Sequence, residues 1–476
     1  MPGRADGDPL RRLPLARPEL PEERPLRGAV ASLTLADRRL LLQLQRQALQ
    51  YFLDNQLPTG LVLDRQTNRG PRRRNGPVST AATGMGLIAL ALASAPPFRL
   101  LTRAAAVRRV RAGLATALDR LPHDHGMMPH FLDSATGKVL GDDHLSTVDS
   151  TWLVAGGLWA AAFLGDPGLE TLARQLYERV DWHYWTAPGV SGYQGLLRHG
   201  MGRGGRFLPC SWDRLNGETV FMYVLAAGAA EGRALSPAAW EGLRPFYGTV
   251  AGLRFHSADL GLFVFQYGLD LLDLRQWRAP GEVDLWAEAA LAAAANRRAC
   301  RSLAGAFATY RRFWGLSAGD GPGETPGHDA YRIYAPGGPV DGTAHVTATL
   351  ASVAHDPEGV LDNLRQAQHE KGLNAWGRYG FSNVNVDRRW VGRDMVGIDA
   401  GAAVLALDNF LMGDRVREVF HRLPYVRRGL ERLGFSRTRR WAAANLGAKG
   451  LSPAAGSAIE FPVWNRLLPT LAPARP

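Results

Sequence analysis

Apolar residues recur at helical spacing through most of this chain, and strand patterns are sparse and short. Amphipathic or strongly apolar segments run from Leu33 to Leu53, Ser79 to Ala93, Thr102 to Leu121, Ser146 to Leu164 and Leu169 to Val180. They resume at Glu218 to Ala230, Pro237 to Leu243, Leu260 to Leu274, Val283 to Arg297, Thr343 to Ala354, Pro357 to His369, Gly397 to Leu411 and Arg415 to Leu430. A 3.6-residue apolar period specifies helix, so about a dozen helices are expected and the fold class is all-α. Capping chemistry supports several starts: Ser79-Thr80 opens one segment, and Ser236-Pro237 and Asp356-Pro357 put proline at a first helical position.

Long Gly-, Pro- and Trp-rich loops separate these helices at Asp181 to Asn216, Trp314 to Asp341 and Leu373 to Val396. Loops of that length in a compact domain tend to carry function. A solenoid would show a repeat of fixed length, and none is visible. Helices alternating with elaborate loops fit a closed toroid of helical hairpins. The expected organisation is a disordered Pro- and Arg-rich leader (1–30), one domain (31–435) and a C-terminal extension (436–476).

Composition narrows the partners. The formal charge of +12 suggests nucleic acid until its source is examined: of 56 basic residues only Lys138, Lys371 and Lys449 are lysines. Arginine is spread over the whole chain and no basic-aromatic module is recognisable, so no nucleic-acid site is expected. Cys210 and Cys300, the two cysteines, exclude a disulfide framework and a thiolate zinc site. The longest apolar stretches, Met85 to Ala95 and Leu153 to Leu164, fall short of the ~20 residues that cross a bilayer. No signal-peptide pattern opens the sequence, so a cytoplasmic protein is expected as written, or an exported one if the chain has been trimmed.

Three loops set aromatic or acidic side chains beside glycines: Trp314-Gly-Leu-Ser-Ala-Gly-Asp320, Trp376-Gly-Arg-Tyr-Gly-Phe381 and Gly397-Ile-Asp-Ala-Gly401. Glycine lets backbone approach a ligand, a ring offers a flat apolar face and an acid offers charge, which is the chemistry of a sugar site. Acids recur where loops enter apolar segments: Asp149, Glu218, Asp320, Asp341 and Asp399. In a toroid, helix ends on one face surround a shared depression, where such acids could meet. Glycoside hydrolysis needs a pair, one acid to protonate the leaving oxygen and one to activate water or attack the sugar. Trp212 and Tyr223 accompany Glu218, and desolvation by rings raises a carboxyl pKa toward that of a general acid. Trp314, Tyr334, Trp376 and Tyr379 are expected to stack on pyranose rings, with Arg378 contacting hydroxyls.

Histidine argues less. His123, His125 and His130 surround Asp124, and His144 follows Asp142 and Asp143, but neither spacing matches a zinc motif. No metal site, P-loop, dinucleotide fingerprint or Ser nucleophile elbow is expected.

These motifs together resemble the glycoamylase-like domain family, which includes the endo-β-1,2-glucanases of glycoside hydrolase family 144 and domains of cyclic β-1,2-glucan synthases. The resemblance runs from about Leu40 to Leu430. It rests on Ser79-Thr-Ala-Ala-Thr-Gly-Met-Gly86, His144-Leu-Ser-Thr-Val-Asp149, Trp212 to Glu218, Trp314 to Asp320, Tyr334-Ala-Pro with Asp341-Gly-Thr, Trp376 to Phe381 and Gly397-Ile-Asp399. It implies an (α/α)6 barrel acting on β-1,2-linked glucan, with no cofactor. It further implies Glu218 as general acid, Asp399 as base of an inverting hydrolase and Asp149 as a shaper of the glucose subsite. Asp143, His144, Trp212, Trp314, Asp320, Tyr334, Asp341, Trp376, Arg378 and Tyr379 complete the expected substrate contacts.

The chain departs from the family pattern at three places. His144 replaces the glutamate common before Ser-Thr-x-Asp, Ala-Gly-Ala follows Asp399 in place of Gln-Gly-Pro, and Asn409-Phe-Leu-Met-Gly413 replaces an Asn-Tyr-Arg-Thr-Gly-like stretch. The expectation is therefore a divergent β-glucan hydrolase, endo-acting on β-1,2-glucan. A transglycosylase on the same scaffold and a catalytically silent glucan-binding protein are the alternatives.

Overall fold

Helices apolar around their whole circumference must be enclosed, and this chain has several. The computed structural model describes residues 33–142, 144–186, 195–325, 328–370 and 372–437. Within them, Thr80–Leu92 (α2) and Gly217–Ala227 (α6) are buried at every residue, as is Gly397–Leu411 (α11) except at Ile398. Thr147–Leu164 (α4) is nearly as enclosed. Two short pieces, Phe263–Gln266 (α7) and Val346–Leu350 (α9), complete an inner ring. Amphipathic helices lie outside it: Leu35–Asn55 (α1), Arg103–Asp119 (α3), Pro167–Arg179 (α5), Leu285–Ser302 (α8), Pro357–His369 (α10), Arg415–Arg422 (α12) and Pro424–Arg432 (α13). An enclosed helix needs apolar residues all round and a covering helix needs one apolar stripe, so the two layers are written in the sequence.

Neighbour packing runs α11 to α2, α2 to α4, α4 to α6 and α6 to α7, and α9 returns to α11. Gln266 Nε2 donates to Ser352 Oγ and closes the ring between α7 and α9. The architecture is an (α/α)6 barrel. Two glycine pairs set close approaches within the inner ring. A Cβ on Gly156 of α4 would lie 2.0 Å from the Gly84 carbonyl oxygen of α2, so those helices touch backbone to backbone. A Cβ on Gly268 would likewise lie 2.0 Å from the Gly217 oxygen, which holds the segment after α7 against the first turn of α6.

Short ribbons deliver the inner helices at one end. Pro77–Ser79 lies between Val62–Leu63 and Phe131–Asp133 and runs into α2, where the Ser79 hydroxyl accepts from Ala82 N. Leu145–Ser146, paired with Gly200–Met201, runs into α4. Asp394–Val396, paired with Arg65–Thr67, runs into α11. The first turns of α4, α6 and α11 therefore open on the same face, each led in by a loop.

Three helical expectations need correction. Leu260 to Leu274 is not one helix: α7 is followed by a 3-10 turn, Gly268–Asp270, because Gly268 is drawn against Gly217. Thr343 to Ala354 contracts to α9, since Thr343 and Ala344 join the loop ribbon through Ala344 and Val384. Arg415 to Leu430 breaks before Pro424, which has no amide hydrogen for a continuing helix and takes the first position of α13. Ser436–Arg437 pairs with Trp277–Arg278, so the first two residues of the expected extension lie on the domain. The leader and residues 438–476 lie outside the described residues.

Candidate active site

Glu218 is the second residue of α6. The Asn216 side chain caps that helix by accepting from Thr219 N at 3.0 Å, so Glu218 is left free to turn toward the barrel mouth. It is 6% exposed and bonded to the Trp152 side chain of α4. Burial pushes its pKa up to about 8, the nearby Asp149 carboxylate pushes the same way, and the Trp152 hydrogen bond opposes both. A group so placed holds its proton at neutral pH and has it available for a leaving oxygen.

Asp399 is the third residue of α11, whose N-cap, Val396, supplies no capping side chain. It is 8% exposed, and the Tyr267 hydroxyl donates to its Oδ1 at 2.8 Å. Burial raises its pKa to about 7, the Tyr267 bond lowers it and Asp320 raises it. Burial and the Asp399 carboxylate hold the Tyr267 hydroxyl well above the ordinary tyrosine pKa, and Tyr331 and Glu218 are among its titratable neighbours. It is bonded to Asp399 and stands in the electrostatic neighbourhood of Glu218, one residue before the Gly268 that packs on Gly217.

Asp149, in the first turn of α4, forms the third side. Ser146 Oγ donates to its Oδ2, and His130 Nε2 stands 3.5 Å from its Oδ1. Trp212 is half-buried beside it: its indole nitrogen donates to Thr147 Oγ1 at 2.9 Å and its ring stacks on His199 at 4.1 Å. Burial depresses the His199 pKa to about 4, so the stack is neutral. Across the mouth, Arg65 holds two acids: Nη1 donates to both oxygens of Asp320 at 3.1 and 3.0 Å, and Nε donates to Asp64 at 3.0 Å.

The structure thus gathers Glu218, Asp399, Asp149, Trp212 and Asp320 at the open end of the barrel. Other expected contacts face elsewhere. Trp314 is buried, with its indole donating to the Gly359 carbonyl of α10 at 2.9 Å, so neither ring face reaches the mouth. Tyr334 is buried with its hydroxyl 3.3 Å from Asp341, and Asp341 accepts from Thr343 N and Oγ1, closing a turn. Tyr379 is buried against Tyr51 and donates to Asp54 of α1. Trp376 packs edge-on to Phe381 across its hairpin, and Arg378 donates to the Thr67 and Gly70 carbonyls. In these loops the rings next to glycine brace the loop rather than line the opening.

His144 is half-buried, with its amide bonded to the Asp142 carbonyl at 3.1 Å, and Asp143 lies outside the described residues. His125 stacks on Tyr184, whereas His130 belongs to the Asp149 corner. Arg65, Trp152 and Tyr331 carry no local motif. Arg65 meets Asp320 across 255 positions, a pairing that no spacing announces. Tyr331 was within reach of the period-two pattern of Asp329–Ile333.

Comparison with known proteins bears on this geometry. The glycoamylase family model, described as "Putative glucoamylase", matches residues 209–424, just under half the chain. The exo-β-1,2-glucooligosaccharide sophorohydrolase (non-reducing end) of Parabacteroides distasonis is 22% identical over 448 residues, 84% of this chain and 58% of that protein. The chain thus spans little more than half the length of that relative. An endo-β-1,2-glucanase of Chitinophaga pinensis, solved with sophorotriose and glucose, shares the fold with a TM-score of 0.71 at 19% identity, over 85% of this chain and 99% of that one. An endo-β-1,2-glucanase of Talaromyces funiculosus, solved with sophorose, follows at a TM-score of 0.56 and 11% identity, over 83% and 87%. Residues 209–424, the stretch that the glycoamylase family model matches, run from the loop before Glu218 past the helix that carries Asp399.

Proposed function

We propose that the chain is a glycoside hydrolase that cleaves β-glucan, endo-acting on β-1,2-linked glucan with inversion of the anomeric centre. The observation that carries the reading is the pair of buried carboxyls, Glu218 and Asp399, at the first turns of two inner helices, with the Tyr267 hydroxyl bonded to Asp399. The proteins that this chain resembles, one in sequence and two in fold, include three whose names specify β-1,2-glucan or its oligosaccharides, which supports that linkage.

In this reading Glu218, protonated at neutral pH, donates to the glycosidic oxygen as the bond breaks. Asp399 removes a proton from the attacking water, directly or through a substrate hydroxyl. Its position beside Asp320 and Asp64 favours the positive charge that develops on the sugar. Asp149 keeps the Glu218 proton in place through its negative charge. Trp212 offers a partly open ring next to the Asp149 corner, suited to an apolar pyranose face.

The test is to incubate the protein with a panel of linear β-1,2-, β-1,3-, β-1,4- and β-1,6-glucans and follow both product size and anomeric configuration. The reading expects β-1,2-glucan to yield a spread of oligosaccharides with α configuration at the new reducing end. Release of disaccharide only would change the mode to exo. A β product would replace single displacement by a retaining route, which a transglycosylase also uses.

A further inference from the structure

The hairpin made by Ala318–Pro322 and Asp329–Ile333 carries an aromatic residue that the catalytic scheme leaves unused. Asp320 and Tyr331 are register partners, so their side chains leave the ribbon on the same face. That face is fixed, because both oxygens of Asp320 accept from Arg65. Arg65 belongs to the ribbon partner of Asp394–Val396, and the Gly397 amide donates to the Asp64 carbonyl at 2.6 Å. The hairpin is therefore anchored to the same backbone that launches Asp399.

Tyr331 is 40% exposed, unusual for a large ring in this barrel, yet its hydroxyl lies close enough to feel Asp399, Asp320 and Asp64. Burial raises the pKa of the hydroxyl, and Asp399 adds to that, so the hydroxyl keeps its proton. An exposed ring on the same hairpin face as Asp320, with the Asp399 and Asp64 carboxyls among the neighbours of its hydroxyl, suits a residue on a concave wall. The Tyr267 hydroxyl, bonded to Asp399, has Tyr331 among its titratable neighbours, which sets the wall on the Asp399 side.

We infer that Tyr331 forms a sugar-binding subsite on the Asp399 side of the cleavage point, its ring stacking on a β-linked glucopyranose and its hydroxyl bonding that sugar. A pyranose presents axial C–H groups on one face and equatorial hydroxyls at its edge, which matches a ring backed by a polar cluster. The subsite rests on the glycoside hydrolase reading and sets how firmly the chain is gripped beside the base.

The test uses the full chain with Glu218→Gln as a non-cleaving parent and calorimetric titration with linear β-1,2-glucooligosaccharides. Adding Tyr331→Ala is expected to weaken binding about tenfold, and Tyr331→Phe about threefold or less, because stacking survives and one hydrogen bond is lost. In the active protein the same Tyr331→Ala change should raise KM more than it lowers kcat, with the melting temperature retained. If Tyr331→Ala binds the oligosaccharides as tightly as the parent, the subsite is overturned while the hydrolase reading stands. If the parent binds none of them and the wild-type protein cleaves none, both fall together.

Discussion

The Tyr267 hydroxyl donates to Asp399 at 2.8 Å, and its own neighbourhood includes Glu218. One oxygen of the proposed base is thereby fixed in direction and the other is left for the substrate. Because the bond favours the charged carboxylate, it keeps Asp399 lower than burial would otherwise set it.

Tyr267→Phe removes that bond without opening a large cavity. The acidic limb of kcat/KM, which reports deprotonation of Asp399 near pH 7 in the wild-type protein, is expected to move up by about one pH unit. The alkaline limb near pH 8, set by Glu218, should stay within a few tenths of a unit. A pH–rate profile of the variant checks both limbs, and an unmoved acidic limb would remove Tyr267 from the base.

Glu218 also leaves a mark on stability. Its folded pKa of about 8 stands above the ordinary value of 4.5, so the folded state holds this proton more tightly than the unfolded state does. Its contribution is fully present below pH 4.5 and is lost as the pH rises through 8, a decline of a few kcal/mol at ~1.4 kcal/mol per pKa unit. Glu218→Gln cannot ionise. Denaturant unfolding of the two proteins at pH 5 and pH 8.5 is expected to show the variant gaining on the wild type at the higher pH. Parallel pH dependences would contradict the burial of an unpaired acid.

Arg65 is the cation for Asp320 and Asp64, with Asp320 only 4% exposed. Arg65→Ala leaves a buried acid without its partner and is expected to cost about 3 kcal/mol. Arg65→Ala with Asp320→Ala should recover a substantial part of that loss, which a double-mutant cycle by chemical denaturation measures. Simple additivity would show that the pair does not anchor the hairpin.

Gly156→Ala places a methyl group 2.0 Å from the Gly84 carbonyl oxygen, where α2 and α4 have no side chain between them to yield. A loss of about 2 kcal/mol or more is expected, seen as a lowered thermal midpoint. An unchanged midpoint would contradict the backbone-to-backbone crossing.

The barrel was legible because burial pattern and helical period coincide: α2, α4, α6 and α11 read as uninterrupted apolar stretches and α1, α5 and α10 as striped ones. The acids of the mouth were legible for a related reason. Glu218, Asp399 and Asp149 each sit where a glycine- or serine-bearing loop enters an apolar helix, and such entries share one end of a toroid. Aromatic residues in the loops misled more often. Trp314 and Tyr379 stand beside glycines yet are buried, because the glycines permit tight ribbon turns and the rings fill the space beneath them. Arg65 owes its role to a contact across 255 positions, and local spacing carries no trace of it.

The proton on Glu218 is the centre of the account, and the rate of glycosidic cleavage by Glu218→Gln tests it most directly. Measured as reducing ends released from linear β-1,2-glucan near pH 7.5, the variant is expected to fall at least ~100-fold below the wild type. Its retained folding is verified by the denaturant unfolding of the same variant. Turnover by the folded variant at the wild-type rate would contradict the account.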